Sequence, residues 1–220
     1  GGPTYPKFTT PKPLTKPEQR RLLTAVRAHG SPRDRALLTL ALGTGLRLRE
    51  LRGLNVGDVR AGHAGTAWKV VLDPELTKGK RGGVAYISAR GRRELRSFLS
   101  WKRRAGEPLE ARSPLFLSNQ RRRVSLRRIQ FVFREWQAAA GFETIYPFHA
   151  LRHSFASALL GLGESLAYIR DQLGHHSIQI TVDNYGHLVP GANQKAVNRL
   201  DDLGITVKSA TPAQPEGAAI

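Results

Sequence analysis

The chain has 220 residues, of which 40% are hydrophobic, enough for one sizeable core, and its 35 Lys and Arg against 17 Asp and Glu leave a net charge of +18. That excess points to a polyanionic partner. Nucleic acid fits better than a membrane surface, because the basic residues spread along the whole chain and no apolar run approaches the roughly 20 residues of a spanning helix.

There is no cysteine, which excludes disulfides, thiolate metal sites and thiol nucleophiles and fits a reducing, cytoplasmic compartment. No secretory signal pattern opens the chain, and the absence of methionine predicts a trimmed natural start. Residues 1–14, rich in Gly, Pro and Thr, read as a linker or an appended extension. Thr15-Lys16-Pro17-Glu18 is a capping-box pattern, and the helix it opens runs through Leu22, Leu23 and Val26 to stop at Gly30. Ser31-Pro32-Arg33-Asp34 repeats the start signal. The segment Leu37 to Leu42 is apolar on most sides, which predicts a buried central helix. Gly43-Thr44-Gly45 breaks it, and a short helix then carries Arg47, Leu48, Glu50, Leu51 and Leu54, with Glu50 in a structural role beside Arg47.

Ala67 to Leu72 and Val84 to Ile87 are β-branched or aromatic runs flanking the basic stretch Thr77-Lys78-Gly79-Lys80-Arg81-Gly82-Gly83. They predict a small antiparallel sheet of three strands with a basic loop. Helices follow over Ser88 to about Arg104, with Lys102, Arg103 and Arg104 as surface charge, and over Ser125 to Gly141 with Leu126, Ile129, Phe133 and Trp136 on a buried stripe. Arg121, Arg122 and Arg123 in the loop between them are candidate phosphate contacts. Further helices are predicted from about His149 to Gly163, from Ser165 to Leu173 and from Ser177 to Val189. In the first of these, Leu151, Phe155, Ala158, Leu159 and Leu162 form an apolar side that would leave His149 and Arg152 facing outward. An amphipathic segment at Ala196 to Leu203 precedes a Pro/Ala/Gly tail, 204–220, expected to be disordered.

Several of these residue types suit cleavage of a phosphodiester without a metal. Arg47 and Arg152 are forks for the non-bridging oxygens, Lys78 or Lys80 can protonate a leaving alkoxide, and Tyr185 can form a covalent ester. His149, His153, His175 and His176 could alternatively form a zinc site, but carboxylate partners are not near in sequence.

Taken together, Thr44-Gly45-Leu46-Arg47 with Glu50-Leu51, then His149-Ala150-Leu151-Arg152-His153, then Leu173-Gly174-His175 with Tyr185 ten residues on, resemble the catalytic domain of the tyrosine recombinases, the phage integrase family. The resemblance runs over 15–203. It implies a mainly α-helical domain with a small antiparallel β-sheet, and a site-specific recombinase that cleaves and rejoins DNA through a 3′-phosphotyrosyl intermediate. Tyr185 would be the nucleophile, Arg47 and Arg152 the phosphate clamp, His149 and His175 supporting residues and Lys78 the general acid. Lys80, Arg81 and Arg121 to Arg123 are further DNA-contact candidates.

No cofactor, metal or ATP is implied. The implied partner is double-stranded DNA, bound by a homo-tetramer on two sites whose C-terminal segments, Asn193 to Leu203 here, are exchanged, in a cytoplasmic, nucleoid-associated setting without membrane contact. Gly82-Gly83 stands where the family often has an Arg, which loosens the alignment of the hairpin. Full-length relatives carry an N-terminal DNA clamp for which this chain has no room, so a catalytic fragment or a clampless member is expected. The rival functions are a type IB topoisomerase-like relaxing enzyme and a non-catalytic DNA-binding relative.

Overall fold

The computed structural model describes residues 12–61, 65–66, 69–77 and 82–189. Most of the N-terminal linker, the segment Asn193 to Leu203 and the tail 204–220 lie outside the described residues, as do Lys78, Lys80 and Arg81.

Helix α1 (Lys16–His29) starts where its capping residues dictate. The Thr15 hydroxyl accepts the Glu18 N–H at 3.3 Å, and the Glu18 carboxylate accepts the Thr15 N–H at 2.7 Å, satisfying donors that the first turn leaves free. Gly30 closes α1, and the Ser31 hydroxyl accepts the Asp34 N–H to open α2 (Pro32–Thr44). Ala36, Leu37, Leu38, Leu40 and Ala41 leave α2 on different sides and are all buried, so it is the central helix its composition predicts.

The short α3 (Leu48–Gly53) follows, and then a 3₁₀ turn at Val56–Val59. Strands β1 (Arg60–Ala61) and β2 (Gly65–Thr66) pair antiparallel, as do β3 (Lys69–Leu72) and β4 (Gly83–Tyr86), with Val70 opposite Ala85 and Val71 opposite Val84. The described residues thus hold two separate two-stranded ladders in place of the three-stranded sheet expected from sequence. β1 and β2 are too short to add a useful edge to a neighbour, and Gly65 offers no side chain to pack. In the longer ladder Val70, Leu72 and Ala85 turn into the core while Val71 and Tyr86 face out, the alternation a half-buried hairpin requires.

Helices α4 (Ala89–Arg104), α5 (Leu126–Ala139), α6 (His149–Gly161), α7 (Leu166–Leu173) and α8 (Ile178–Tyr185) complete the set, and a 3₁₀ turn at Gly186–Leu188 follows. α2 packs against α1, α4 and α6, while α5 packs against α1 and α3. Leu22, Leu38, Leu51, Phe98, Phe116, Phe133 and Leu151 belong to the large core this creates. A second, smaller cluster of Ala156, Ile169, Leu173 and Tyr185 lies among α6, α7 and α8.

Two expectations need correction. Lys102 is fully buried rather than surface charge, its Nζ 2.6 Å from Glu107 Oε2 and 5.6 Å from the centre of the Phe98 ring. Residues 95, 98 and 102 fall on one helical stripe, so position 102 faces the core, and Glu107 just beyond the helix end supplies the counter-charge a buried ammonium needs. The second concerns α6. Leu162, assigned to its apolar side, is 79% exposed at the C-terminal cap of the helix, and Arg152, expected to face outward with His149, is buried where it donates to the Gly45 and Leu173 carbonyls, whereas His149 is exposed as expected.

Candidate active site

Arg47 is the residue that caps α3, and Glu50 holds it from two directions. The carboxylate accepts the Arg47 backbone N–H at 2.7 Å and its Nη1–H at 2.9 Å, so backbone and guanidinium are fixed by one buried anion. This is the structural role expected for Glu50. The Arg47 side chain stays 28% exposed and accessible from outside.

Arg152 is held differently. Its Nη1 donates to the Gly45 carbonyl at 2.8 Å and its Nη2 to the Leu173 carbonyl at 2.6 Å. Both acceptors sit at helix C-termini, where carbonyls lack intrahelical partners and carry the negative end of the helix dipole. A guanidinium has five N–H donors, so the remaining ones are available for a ligand. Burial pulls the Arg152 pKa down to about 10, with the nearby Arg47 charge acting in the same direction and Glu50 and Tyr185 against it, and the group remains cationic at neutral pH. Gly45 makes this geometry possible. Its φ of 64° is left-handed, and a Cβ there would lie 2.5 Å from Phe155 Cδ1.

The imidazoles and the phenol lie beside this pair, His149 exposed, His175 half-buried and His153 and Tyr185 buried. His149, at the start of α6, meets the ring of His153 edge-on with centroids 4.7 Å apart. His153 Nδ1 lies 2.9 Å from the Tyr185 hydroxyl, and His175 Nδ1 lies 2.9 Å from the hydroxyl of the buried Thr181. Burial first, and then neighbouring cations, depress all three histidines; His153 and His175 each fall to about 4, so their rings are neutral at physiological pH. With His153 neutral and its ring proton on Nε2, the phenol donates to Nδ1. Burial raises the Tyr185 pKa to about 12, while the Arg152 charge opposes that rise.

The root of the β3–β4 hairpin faces the same place. Thr77, Gly82 and Gly83 line one cleft with Arg47, Glu50, Arg152 and the end of α7 at Leu173 and Gly174. The Thr77 hydroxyl accepts the Gly82 N–H at 3.0 Å, drawing together the two ends of the stretch that contains Lys78, Lys80 and Arg81. Of the remaining basic candidates, Arg121 and Arg122 are exposed. Arg123 is turned inward: its Nη1 donates to the carbonyls of Arg52, Gly53 and Leu54 and its Nη2 to Asn55 Oδ1, so it caps the end of α3. Among the described residues, no three His, Asp or Glu side chains converge in a way that would hold a metal ion.

A family model described as "Phage integrase family" matches residues 12–191. The chain belongs to the phage integrase family. It is 36% identical over 157 residues to the tyrosine recombinase XerC of Serratia marcescens, a match covering 71% of this chain and 48% of that protein. It is 33% identical over 193 residues to the tyrosine recombinase XerD of Bifidobacterium longum, covering 83% and 60%. The chain therefore spans about half to three-fifths of the length of these curated relatives.

Among solved structures, XerA recombinase superposes with a TM-score of 0.68 at 24% identity, covering 94% of this chain and 68% of that one. The catalytic domain of bacteriophage HP1 integrase gives 0.60 at 20% identity, covering 90% of this chain and all of that domain. The mainly helical fold with small antiparallel pairings is thus the integrase catalytic-domain fold.

In this family member, sequence reading names His153 only within the box and the alternative zinc set, and it does not single out Thr181 or the Leu173 carbonyl as parts of the site. His153 carries a readable signal, since it follows Arg152 directly inside the same box. Thr181 carries none: it reaches His175 only because the chain turns after Gly174 and restarts as α8.

Proposed function

We propose that the chain is the catalytic part of a site-specific DNA recombinase that breaks and rejoins strands through a 3′-phosphotyrosyl intermediate. The observation that carries this reading is the convergence of Tyr185, Arg152 and the three depressed histidines around the partly exposed fork of Arg47. Arg47 and the free donors of Arg152 bind the non-bridging oxygens and stabilise the charge that grows on them as phosphorus becomes pentavalent. The Tyr185 oxygen forms the new bond to phosphorus as its proton passes to water in the cleft, and the bond to the 5′ oxygen breaks. His149 and His175, neutral at the rim of the clamp, donate hydrogen bonds to the same oxygens.

Lys78 gives the leaving 5′ oxygen its proton. Its neighbours Thr77 and Gly82 line the clamp cleft, which supports this role. Because the tyrosyl ester retains the energy of the broken bond, a second 5′-hydroxyl can reverse the step, and neither ATP nor a metal takes part.

The partner is double-stranded DNA, in keeping with the net charge of +18, with Lys80, Arg81, Arg121 and Arg122 as outlying phosphate contacts. The solved recombinase XerH, which shares the fold at a TM-score of 0.68, is described as bound to its difH substrate. The working unit is a tetramer on two sites. Ile178, Val182 and Leu188, exposed on α8 and the turn after it, offer an apolar surface that a neighbouring subunit would cover. The setting is the DNA-associated cytoplasm.

The test is covalent capture on nicked duplexes tiled over the genomic DNA that flanks the gene. The chain should form an adduct that survives denaturant, and Tyr185→Phe should form none. An adduct that persists in Tyr185→Phe would move the nucleophile elsewhere and overturn the reading.

A further inference from the structure

The box His149-Ala150-Leu151-Arg152-His153 contains one polar residue with no part in the chemistry above, and the geometry around it is specific. His153 is 5% exposed and Tyr185 3% exposed, and these two buried side chains meet through the 2.9 Å contact between Nδ1 and the phenol oxygen. The two ring centres are 5.5 Å apart and tilted by 54°, so the rings are not stacked. His153 itself has little freedom. It lies on the enclosed half of α6, one residue from Arg152, and its other flank meets the edge of His149.

We propose that His153 is the positioning residue for the nucleophile, its Nδ1 fixing the direction of the Tyr185 hydroxyl beside Arg152. This rests on the phosphotyrosyl reading and adds a residue to it. A phenol on the last residue of an eight-residue helix needs such a guide, because its oxygen lies several bonds from the backbone and a displacement of about 1 Å can slow a reaction on the order of 10²-fold. The role assigned to His153 is direction: its Nδ1 holds the phenol oxygen in place, and the burial that keeps its ring neutral leaves a nitrogen lone pair for that contact.

The experiment uses the nicked duplex that captures the unmodified chain and follows adduct formation and DNA binding separately. His153→Leu should slow adduct formation on the order of 10²-fold and leave DNA affinity within a few-fold. Asn places an oxygen where Nδ1 stands, whereas Gln places its polar atoms where Nε2 stands. His153→Asn should therefore recover most of the rate and His153→Gln should not. Hydrogen peroxide supplied as an external nucleophile to Tyr185→Phe separates positioning from a general structural role, since cleavage by peroxide needs the clamp but no tyrosine. Adding His153→Leu to Tyr185→Phe should leave peroxide-driven cleavage as it was.

Adduct formation by His153→Leu at the unmodified rate would overturn the proposal. So would an equal loss of peroxide-driven cleavage, which would assign His153 to the clamp. If His153→Leu does not fold, Asn and Gln decide between them, and equal rates in the two would count against the proposal. Failure of the unmodified chain to form any adduct would strike the phosphotyrosyl reading itself.

Discussion

Arg47 is held by a group anchored in the large core and Arg152 by one carbonyl from each side, whereas Tyr185 and His175 hang from a much smaller cluster. Glu50 sits on α3 beside Leu51 and Leu54, and Gly45 ends the central helix, so the clamp inherits the rigidity of α2 and its neighbours. On the other side, Tyr185 is itself one of four buried members of the cluster among α6, α7 and α8, and Ile178, Val182 and Leu188 around it remain exposed. The Arg47 side of the proposed clamp thus rests on more buried surface than the proposed nucleophile does. Leu173 joins the two regions, with its side chain in the small cluster and its carbonyl on Arg152.

The largest expected effect that tests this contrast is on the clamp. Arg152→Ala should slow adduct formation on the order of 10²–10³-fold. It should also lower stability by about 1–3 kcal/mol, because the Gly45 and Leu173 carbonyls lose a buried donor. Arg152→Lys should recover little of either, since one ammonium lacks the span and fork of a guanidinium. Arg47→Ala should reduce adduct formation with a smaller change in melting temperature, its side chain being partly solvated. Equal thermal losses in the Arg47 and Arg152 variants would break the distinction between a buried clamp member and an exposed one.

Core substitutions come next. Leu38→Ala on α2 should cost about 2–5 kcal/mol of global stability in denaturant titrations. Ile169→Ala should instead act locally, lowering amide-exchange protection in α7 and α8 while α2 keeps its own. Loss of protection in all three helices together would show that the two cores open as one.

Acid should separate the regions in a similar way. The folded pKa of His153, about 4, lies below its ordinary 6.5, so the unfolded chain binds more protons between these values. The stabilisation is fully present above about pH 6.5 and is lost as pH falls toward 4, by on the order of 3 kcal/mol for this residue. His175 shifts the same way in the same window. Exchange protection in α8 should therefore fall before that in α2 as pH drops from 7 to 5. The reverse order would contradict the reading that the nucleophile side is the weaker.

The smallest expected effects compare two left-handed helix ends. Gly45 and Gly174 have φ of 64° and 60°, but a Cβ at Gly45 would press into Phe155 whereas one at Gly174 would meet nothing within 4 Å. Gly174→Ala should cost about 1–2 kcal/mol, the strain of the left-handed backbone alone. Gly45→Ala should cost more and should also slow adduct formation, since it shifts a carbonyl that holds Arg152.

Much of this arrangement is legible in the amino-acid sequence, because helix starts are local events. Thr15, Ser31, Ser88, Ser125, Ser165 and Ser177 each cap the helix that follows them, with a side-chain oxygen meeting a backbone N–H two or three residues on. The ordered spacing singles out Arg47, Arg152, His175 and Tyr185 as candidates for the proposed site. What spacing does not supply is orientation. Arg152 finds its acceptors 107 and 21 residues away, and both are backbone oxygens that leave no mark in the sequence. Lys102 reads as surface charge and Arg123 as a phosphate contact because their partners, a glutamate past a helix end and the carbonyls of α3, become neighbours only on folding.

The anchoring of Arg152 on main-chain oxygens also bears on how freely this protein can change. A carbonyl acceptor persists whatever side chain its residue carries, so variation at position 173 that preserves the packing of α7 leaves that contact in place. Position 45, tied to a left-handed backbone under an aromatic ring, has no such latitude. A library that varies the cleft wall at the half-buried Gln172 can therefore leave the Arg152 contacts in place, provided the glycine at 45 is kept.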